Sequence, residues 1–551
     1  MNLINEPWIP IRRYDGVFES IAPWQIVEHH ETNPVVAIST TRADFDGALM
    51  QFLIGLLQTT TSIDTEEQWE DLLYEPPSVE QLQAQFALVA YAFALDGDGP
   101  RFMQDLQLSE GERKNIASLL IDAPGEKSLR DNLDHFVKRG SIAGMCLTCT
   151  AMALFTLQTN APSGGVGHRT SLRGGGPLTT LVMCDPRRTK DTWGATLWRN
   201  VWLNVLEKAR FLRPCGNPDK NNPSDSFPWL APTRTSAGGG RETTPEDVYP
   251  AQMFWGMPRR IRLDFESTEV GQCGVCGIQS NALVTQYITK NYGVNYSGPW
   301  LHPLTPHSFD KQGTPRPYHA QPGGVSYRHW LGLVVADEAG GRQPARVVDV
   351  FSKKRNYELG MQLRLWAFGY DMDNMKARCW YESQMPLYQL DEALRREFTV
   401  IVSQMIQAAD LAKTYLVGAL KDAWFDSGDS RRKNDISFVA QAFWQNTERD
   451  FYDHLGELAM ALKTEKDGFL AGTGVKQQWH SSLCRQARVL FDQWANSEAL
   501  AFEDPRRIAT AHNQLLRNLY GPKLCEKTLE LPKKLAPQGV LNDAATVSSG
   551  Q

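Results

Sequence analysis

The stretch 390–419, LDEALRREFTVIVSQMIQAADLAKTYLVGA, marks where the text of the chain changes character. Leu390, Leu394, Phe398, Ile401, Met405, Ala408, Ala412, Tyr415 and Ala419 step by three or four, which places them on one face of a long helix. Further helical stretches follow near 434–463, 474–497 and 505–519, with linkers such as Glu465-Lys466-Asp467-Gly468. Amphipathic helices joined by short connections predict a four-helix bundle over 385–531. The end of the chain, 532–551, with its Ser-Ser-Gly-Gln finish, is expected to be a disordered tail.

Upstream of that stretch the pattern is mixed. Leu3 to Ile11 reads as a strand, and a turn follows at Asp15-Gly16. Residues 43–58 and 79–93 have helical spacing. From about 160 to 330, clusters of Gly, Pro, Ser and Asn interrupt short β-like runs, and 224–244 is expected to be a mobile surface loop. The apolar runs 329–336 and 345–351 flank Gly340-Gly341 and predict a β-hairpin. The expectation is an α+β chain: a large mixed domain over 1–384, then the helical bundle.

At 551 residues, with 42% hydrophobic and 22% charged content, the composition is that of a globular protein. No apolar run reaches the length of a bilayer span, and the first residues lack a secretory pattern, so a cytoplasmic protein without a membrane partner is expected. Net charge is −6, but residues 1–100 alone carry −13, which leaves +7 on the remaining 451. That asymmetry permits a basic surface later in the chain. Arg187-Arg188-x-Lys190, Arg259-Arg260, Lys353-Lys354-Arg355 and Lys376-x-Arg378, each with aromatic neighbours or in a cationic run, are candidates for phosphate contacts; solvated faces are the commoner use of such clusters.

The nine cysteines include two tight pairs, Cys146-x2-Cys149 and Cys273-x2-Cys276. Two such knuckles can close a tetrahedral four-sulfur zinc site with no position open for catalysis, although 123 residues separate Cys149 from Cys273. The alternative is two unrelated pairs. Ser163-Gly164-Gly165-Val166-Gly167 is a glycine-rich loop, with Leu172-Arg173-Gly174-Gly175-Gly176-Pro177 close behind it. Neither has the spacing of a nucleotide phosphate loop, so the choice lies between a plain turn and a backbone probe of a narrow groove. His302 and His307 are separated by prolines that spoil helical presentation to a metal. No hydrolase elbow or metalloprotease motif is present, and the sequence makes no positive case for catalysis.

Taken in order, these elements resemble the CasA family, the large subunit of the type I-E CRISPR Cascade complex. The resemblance rests on Asn2-Leu3 with Trp8-Ile9-Pro10, Phe102-Met103-Gln104, Cys146-x2-Cys149-Thr150-Ala151, Ala161-Pro162, Leu172-Arg173-Gly174-Gly175-x-Pro177, Cys273-x2-Cys276-Gly277, Trp300-x-His302-Pro303 and Gly369-Tyr370. It implies a non-catalytic subunit that recognises the protospacer-adjacent motif in double-stranded target DNA and starts strand separation for R-loop formation. Its implied partners are the 5′ handle of the guide RNA, the other Cascade subunits and the CRISPR nuclease-helicase.

The resemblance also implies roles for individual residues. The family's glycine loop falls on Ser163–Gly167. Its lysine finger falls on Lys290 or Asn291, with Lys290 favoured for its charge. Its duplex-splitting wedge falls on Asp373, Asn374 and Met375, and its contact with the guide handle on Phe136, with Lys138 and Arg139 beside it. Two rival readings are a zinc-containing nucleic-acid hydrolase, which needs an open metal position, and a purely structural scaffold subunit.

Overall fold

The computed structural model describes residues 1–132, 140–185, 195–213, 216–320, 323–337, 340–355, 359, 362–373, 376–426, 428–464, 468–495 and 504–532. The chain is a mixed α+β protein: a β-rich N-terminal region holds a cluster of four cysteines, and the C-terminal region is helical. It divides into two compact units. One comprises Met1–Gly324, Gly332–Ser352 and Glu358–Leu387; the other comprises Val325–Leu331, Lys353–Tyr357 and Tyr388–Gln551. Among the described residues no helix is long and apolar enough to cross a membrane.

The first unit is built round the helix Ala43–Thr60. Its opening turn carries Asp44 and Asp46, which complement the positive end of the helix dipole. Fourteen of its eighteen residues are buried, so it is a core helix and not an amphipathic surface one. Phe52 stands at the hub, with ring centroids of Trp8, Phe155, Trp255 and Phe102 at 5.3, 5.6, 5.6 and 6.0 Å in edge-to-face or near-perpendicular geometry. Phe155 belongs to a second buried helix, Leu147–Asn160. The aromatic hub locks these two helices together, and the ends of the second helix position the candidate site.

Small antiparallel sheets surround this core. Ile9–Arg13 pairs with Phe18–Ile21 on one side and Val35–Ile38 on the other. Gln286–Lys290 lies between Glu112–Asn115 and Arg260–Leu263. Leu363–Asp373 lies between Thr179–Cys184 and Lys376–Leu387, and the pairing with Lys376–Leu387 runs from Leu363↔Leu387 to Asp373↔Lys376.

Two expectations are corrected here. The apolar runs about Gly340-Gly341 do not form a hairpin: 330–333 and 346–354 are helical, and between them Arg342–Gln343 pairs with His307–Phe309. Val347, Val348 and Phe351 are buried together at helical spacing, so packing overrides the β preference of the valines. The stretch 224–244 is not one open loop either. It contains short helical turns, and Trp229 is fully buried with its indole N–H donating to Ala92 O at 2.6 Å.

In the second unit the long helices are Glu392–Trp424, Ser437–Thr464, Gly468–Ala495 and Pro505–Leu519. Phe398, Ile401, Met405, Ala408, Ala412 and Ala419 are buried, as the periodicity predicts. Trp479 donates its indole N–H to Met405 O at 2.9 Å, and Tyr327 stacks on Phe451 at 4.3 Å with its hydroxyl 2.8 Å from Thr447 Oγ1.

Candidate metal centre and nucleic-acid interface

Cys146 caps the start of the helix Leu147–Asn160, and Cys149 sits in its first turn. Cys273 and Cys276 occupy the turn between the strands Glu269–Gln272 and Gln279–Leu283. The two knuckles, distant in sequence, are joined by main-chain pairing: Met145 N donates to Val284 O at 3.0 Å, Val284 N to Met145 O at 2.8 Å, and Gly274 N to Gly144 O at 3.0 Å.

The four sulfurs lie within 4.8 Å of one another, and Cys146 Sγ is 3.8 Å from Cys276 Sγ. A tetrahedral zinc with bonds of about 2.3 Å separates its sulfurs by about 3.8 Å, so the donor set fits such an ion with little adjustment. Two amides already point at sulfur, Cys146 N at Cys273 Sγ (3.3 Å) and Cys149 N at Cys146 Sγ (3.5 Å). Hydrogen bonds from Cys146 and Cys149 hold the Cys273 thiol well below its ordinary range, whereas hydrogen bonding with Cys146 and Cys273, and then burial, push Cys149 up. The cluster therefore favours a negative charge at Cys273, the sulfur that the Cys146 amide also faces.

The other end of the same helix delivers the glycine loop. The helix stops at Asn160, and the loop is closed by Ser171 N donating to Ala161 O at 3.2 Å. Gly165 and Gly167 take positive φ, 93° and 76°, and lift Val166 between them to 77% exposure. Arg259, which is largely buried, donates to Pro162 O and contacts His168 Nδ1 from below. Burial and then the Arg259 charge push His168 down to about 4, so at neutral pH the imidazole is uncharged and accepts from the guanidinium.

The strand Gln286–Lys290 runs up to this loop. Asn291 Nδ2 donates to Val166 O at 2.8 Å, and Tyr292 N donates to Gly167 O at 2.8 Å. Asn291 thus uses its amide to hold the loop. Lys290, one residue earlier, is exposed and has no ion pair among the described residues.

A third segment joins them, the stretch around Ser236, which the sequence marks only as a surface loop. Ser236 N donates to Tyr292 O at 3.2 Å, Ser236 Oγ donates to Gly293 O at 2.9 Å, and Arg169 Nε donates to Ser236 Oγ at 2.8 Å. No local sequence pattern signals these bonds, because they bridge positions more than fifty residues apart.

The hairpin 363–387 reaches the same region by contact. A Cβ on Gly175 would meet Ser163 N at 3.2 Å, and one on Gly176 would meet Met372 Cγ at 2.7 Å. The segment 172–177 is therefore wedged between the glycine loop and the end of the hairpin, whose last described residue before the turn, Asp373, is exposed. Asn374 and Met375 lie outside the described residues, as do Phe136, Lys138 and Arg139.

Several cations noted in the sequence are committed to structure. Arg260 pairs with buried Asp105 at 2.6 Å, and Arg378 grips Asp371 at 2.7 and 3.0 Å. Arg187, Arg188 and Lys190 lie outside the described residues. His302 and His307 are buried, and burial pushes both down, His307 to about 4.

A family model for CRISPR-associated protein Cse1 matches residues 2–490. The fold is similar to that of CasA from Thermus thermophilus, with a TM-score of 0.68 at 16% identity over 94% of this chain and 99% of that one. It is likewise similar to Thermobifida fusca Cse1, with a TM-score of 0.69 at 16% identity over 96% and 98%. A chain in a structure of a CRISPR RNA-guided surveillance complex aligns with a TM-score of 0.66 at 16% identity over 95% and 99%. At this identity the solved structures carry the fold, and the family match carries the kinship.

Proposed function

This chain belongs to the CRISPR-associated Cse1 (CasA) family, the large subunits of the type I-E Cascade surveillance complex, and we propose that it recognises the protospacer-adjacent motif in double-stranded DNA and starts strand separation. The observation that supports this most is convergence. The glycine loop 163–167 is bonded to Asn291 and Tyr292 just after the strand that ends at Lys290, and Gly175-Gly176 bridge it to Met372 near the turn end of the hairpin, although more than a hundred residues separate the loop from that strand.

The chemistry suits a narrow groove. Backbone at Gly164 and Gly165 can approach where a side chain would collide, and Lys290 supplies charge for phosphate or for the acceptors of the minor groove. That groove has a degenerate donor and acceptor pattern, so tolerance of several related motifs is expected. Asp373, with Asn374 and Met375 next in sequence, is the wedge, which need contribute only a few kcal/mol of unstacking before base pairing to the guide becomes nearly balanced.

In this reading Cys146, Cys149, Cys273 and Cys276 hold a structural zinc, and Phe136, Lys138 and Arg139 contact the guide's 5′ handle. Residues 1–384 carry the DNA-facing loops, and 385–531 form a four-helix bundle. The other Cascade subunits and the nuclease-helicase are protein partners, and the chain itself catalyses nothing.

The test is duplex binding by the guide-loaded complex, assembled with and without this chain, on targets with matched and scrambled flanking motifs. Motif-dependent affinity that requires the chain supports the reading. Equal affinity on both targets, or affinity unaffected by omitting the chain, reduces it to a scaffold.

A further inference from the structure

Tyr292 is a non-glycine residue with φ of 63°, in the left-handed region that an aromatic residue seldom adopts. Such strain persists only where surrounding structure enforces it, and it gathers at sites of function. Here the enforcement is visible. Tyr292 N is tied to Gly167 O and its carbonyl accepts from Ser236 N, while a Cβ on the following Gly293 would lie 1.9 Å from Pro258 O. The ring rests against Gly167, where an added Cβ would be 3.0 Å from Cδ1, yet 37% of the residue stays exposed. Its hydroxyl has no hydrogen-bond partner among the described residues. Val166, its neighbour across that junction, is more exposed still at 77%. The strained backbone thus holds an aromatic ring at the rim of the glycine loop, beside an apolar tip.

We propose that Tyr292 is a second reader of the DNA duplex: its ring packs against the sugars bordering the minor groove beside Gly167, and its hydroxyl donates to an acceptor on the groove floor. Val166 supplies the apolar contact on the other side of the loop. The groove fits this pair because its floor presents purine N3 and pyrimidine O2 acceptors to any base pair, and because apolar side chains are a recurrent means of prising base steps apart there. The inference rests on the duplex-reading function proposed above and adds a residue to it.

The strain supplies the discriminating test. Asparagine tolerates the left-handed region, so Tyr292→Asn removes the ring and relieves the backbone together; Tyr292→Gly does the same. Melting of the full chain and affinity of the guide-loaded complex are measured for both variants. The expected result is an unchanged or raised melting temperature with about a tenfold loss of affinity on the matched motif and a smaller loss on the scrambled one. Unchanged affinity overturns the proposal, and so does a loss of affinity that parallels a loss of thermal stability, since that is the mark of a merely structural tyrosine. If the unsubstituted complex shows no motif dependence, the underlying reading falls and takes this one with it. If it does show motif dependence and the variants bind normally, this inference alone falls.

Discussion

Gly165 and Gly167 have similar backbones and different surroundings, and alanine at each separates the cost of folding the glycine loop from the cost of approaching DNA. Both take positive φ, so either alanine incurs about 1–2 kcal/mol of backbone strain. At Gly165 that is the whole of the cost, because nothing lies within 4 Å of an added Cβ. At Gly167 the Cβ meets Asn291 Cβ and Tyr292 Cδ1, each at 3.0 Å. Those two residues carry the bonds that hold the loop, at 2.8 Å each, and each bond contributes about 0.5–1.5 kcal/mol net. Gly167→Ala should therefore cost about 2–5 kcal/mol and Gly165→Ala only about 1–2 kcal/mol. Thermal denaturation of the full chain reads the difference, at no more than about 2–4 °C per kcal/mol for a unit this large. Duplex affinity should not follow the same order. The methyl of Gly165→Ala points into open space, where the groove would lie, so affinity for the matched motif should fall at least about tenfold, or about 1.4 kcal/mol, despite the milder destabilisation. A Gly165→Ala complex that binds matched DNA normally would refute the close backbone approach.

Lys290→Ala should weaken duplex binding and lower the slope of log affinity against log salt by about 1, with little change in melting; Asn291→Ala should instead cost about 1 kcal/mol of stability through its lost bond to Val166. An unchanged salt slope for the first variant would remove Lys290 as a phosphate or groove contact. Elemental analysis should find one zinc per chain, and Cys273→Ser should lose it and melt earlier; equal metal content and melting would leave the four sulfurs without an ion to hold. Acid should destabilise the first unit through His307. Its folded pKa of about 4 lies below the ordinary 6.5, so between these values the unfolded chain binds more protons and stability rises with pH. The gap is worth about 3 kcal/mol, fully present above pH 6.5 and lost as pH falls toward 4. His307→Gln should flatten that part of a melting-temperature profile, and an unaltered slope would assign the acid sensitivity elsewhere.

What could be read in the sequence was what repeats or ligates locally. The face from Phe398 to Ala419 is buried because a helix returns every three or four residues to one side, and that period survives any tertiary arrangement. The cysteine pairs were legible for a similar reason, since a two-residue gap is what lets one ion take both sulfurs. The valines at 347 and 348 misled, because two adjacent β-branched residues fit a buried strand or a buried helix equally well until Phe351 joins them on one face. The alternation Leu363, Leu365, Ala367, buried on every second residue, is the strand signal of this stretch.

The candidate site was less legible because its parts meet only through long-range bonds. One slip of register separates Lys290 from Asn291, and resemblance alone leaves both open. Asn291 commits its amide to Val166 O, which leaves Lys290 as the exposed cation beside the glycine loop. The same geometry gives the four cysteines a purpose beyond stability. One arm leaves the cluster as the helix Leu147–Asn160 and ends in the glycine loop; the other returns through Gln279–Leu283 and Gln286–Lys290 and ends at Asn291 and Tyr292. The arms meet at one end at the four clustered sulfurs, where main-chain bonds also pair them, and at the other through the bonds to Val166 O and Gly167 O. Zinc bound at the cysteine end would act as a clamp and fix the relative register of both arms some 20 Å away, at a rise of about 1.5 Å per helical residue. Loosening that clamp should blur motif discrimination before it unfolds the chain.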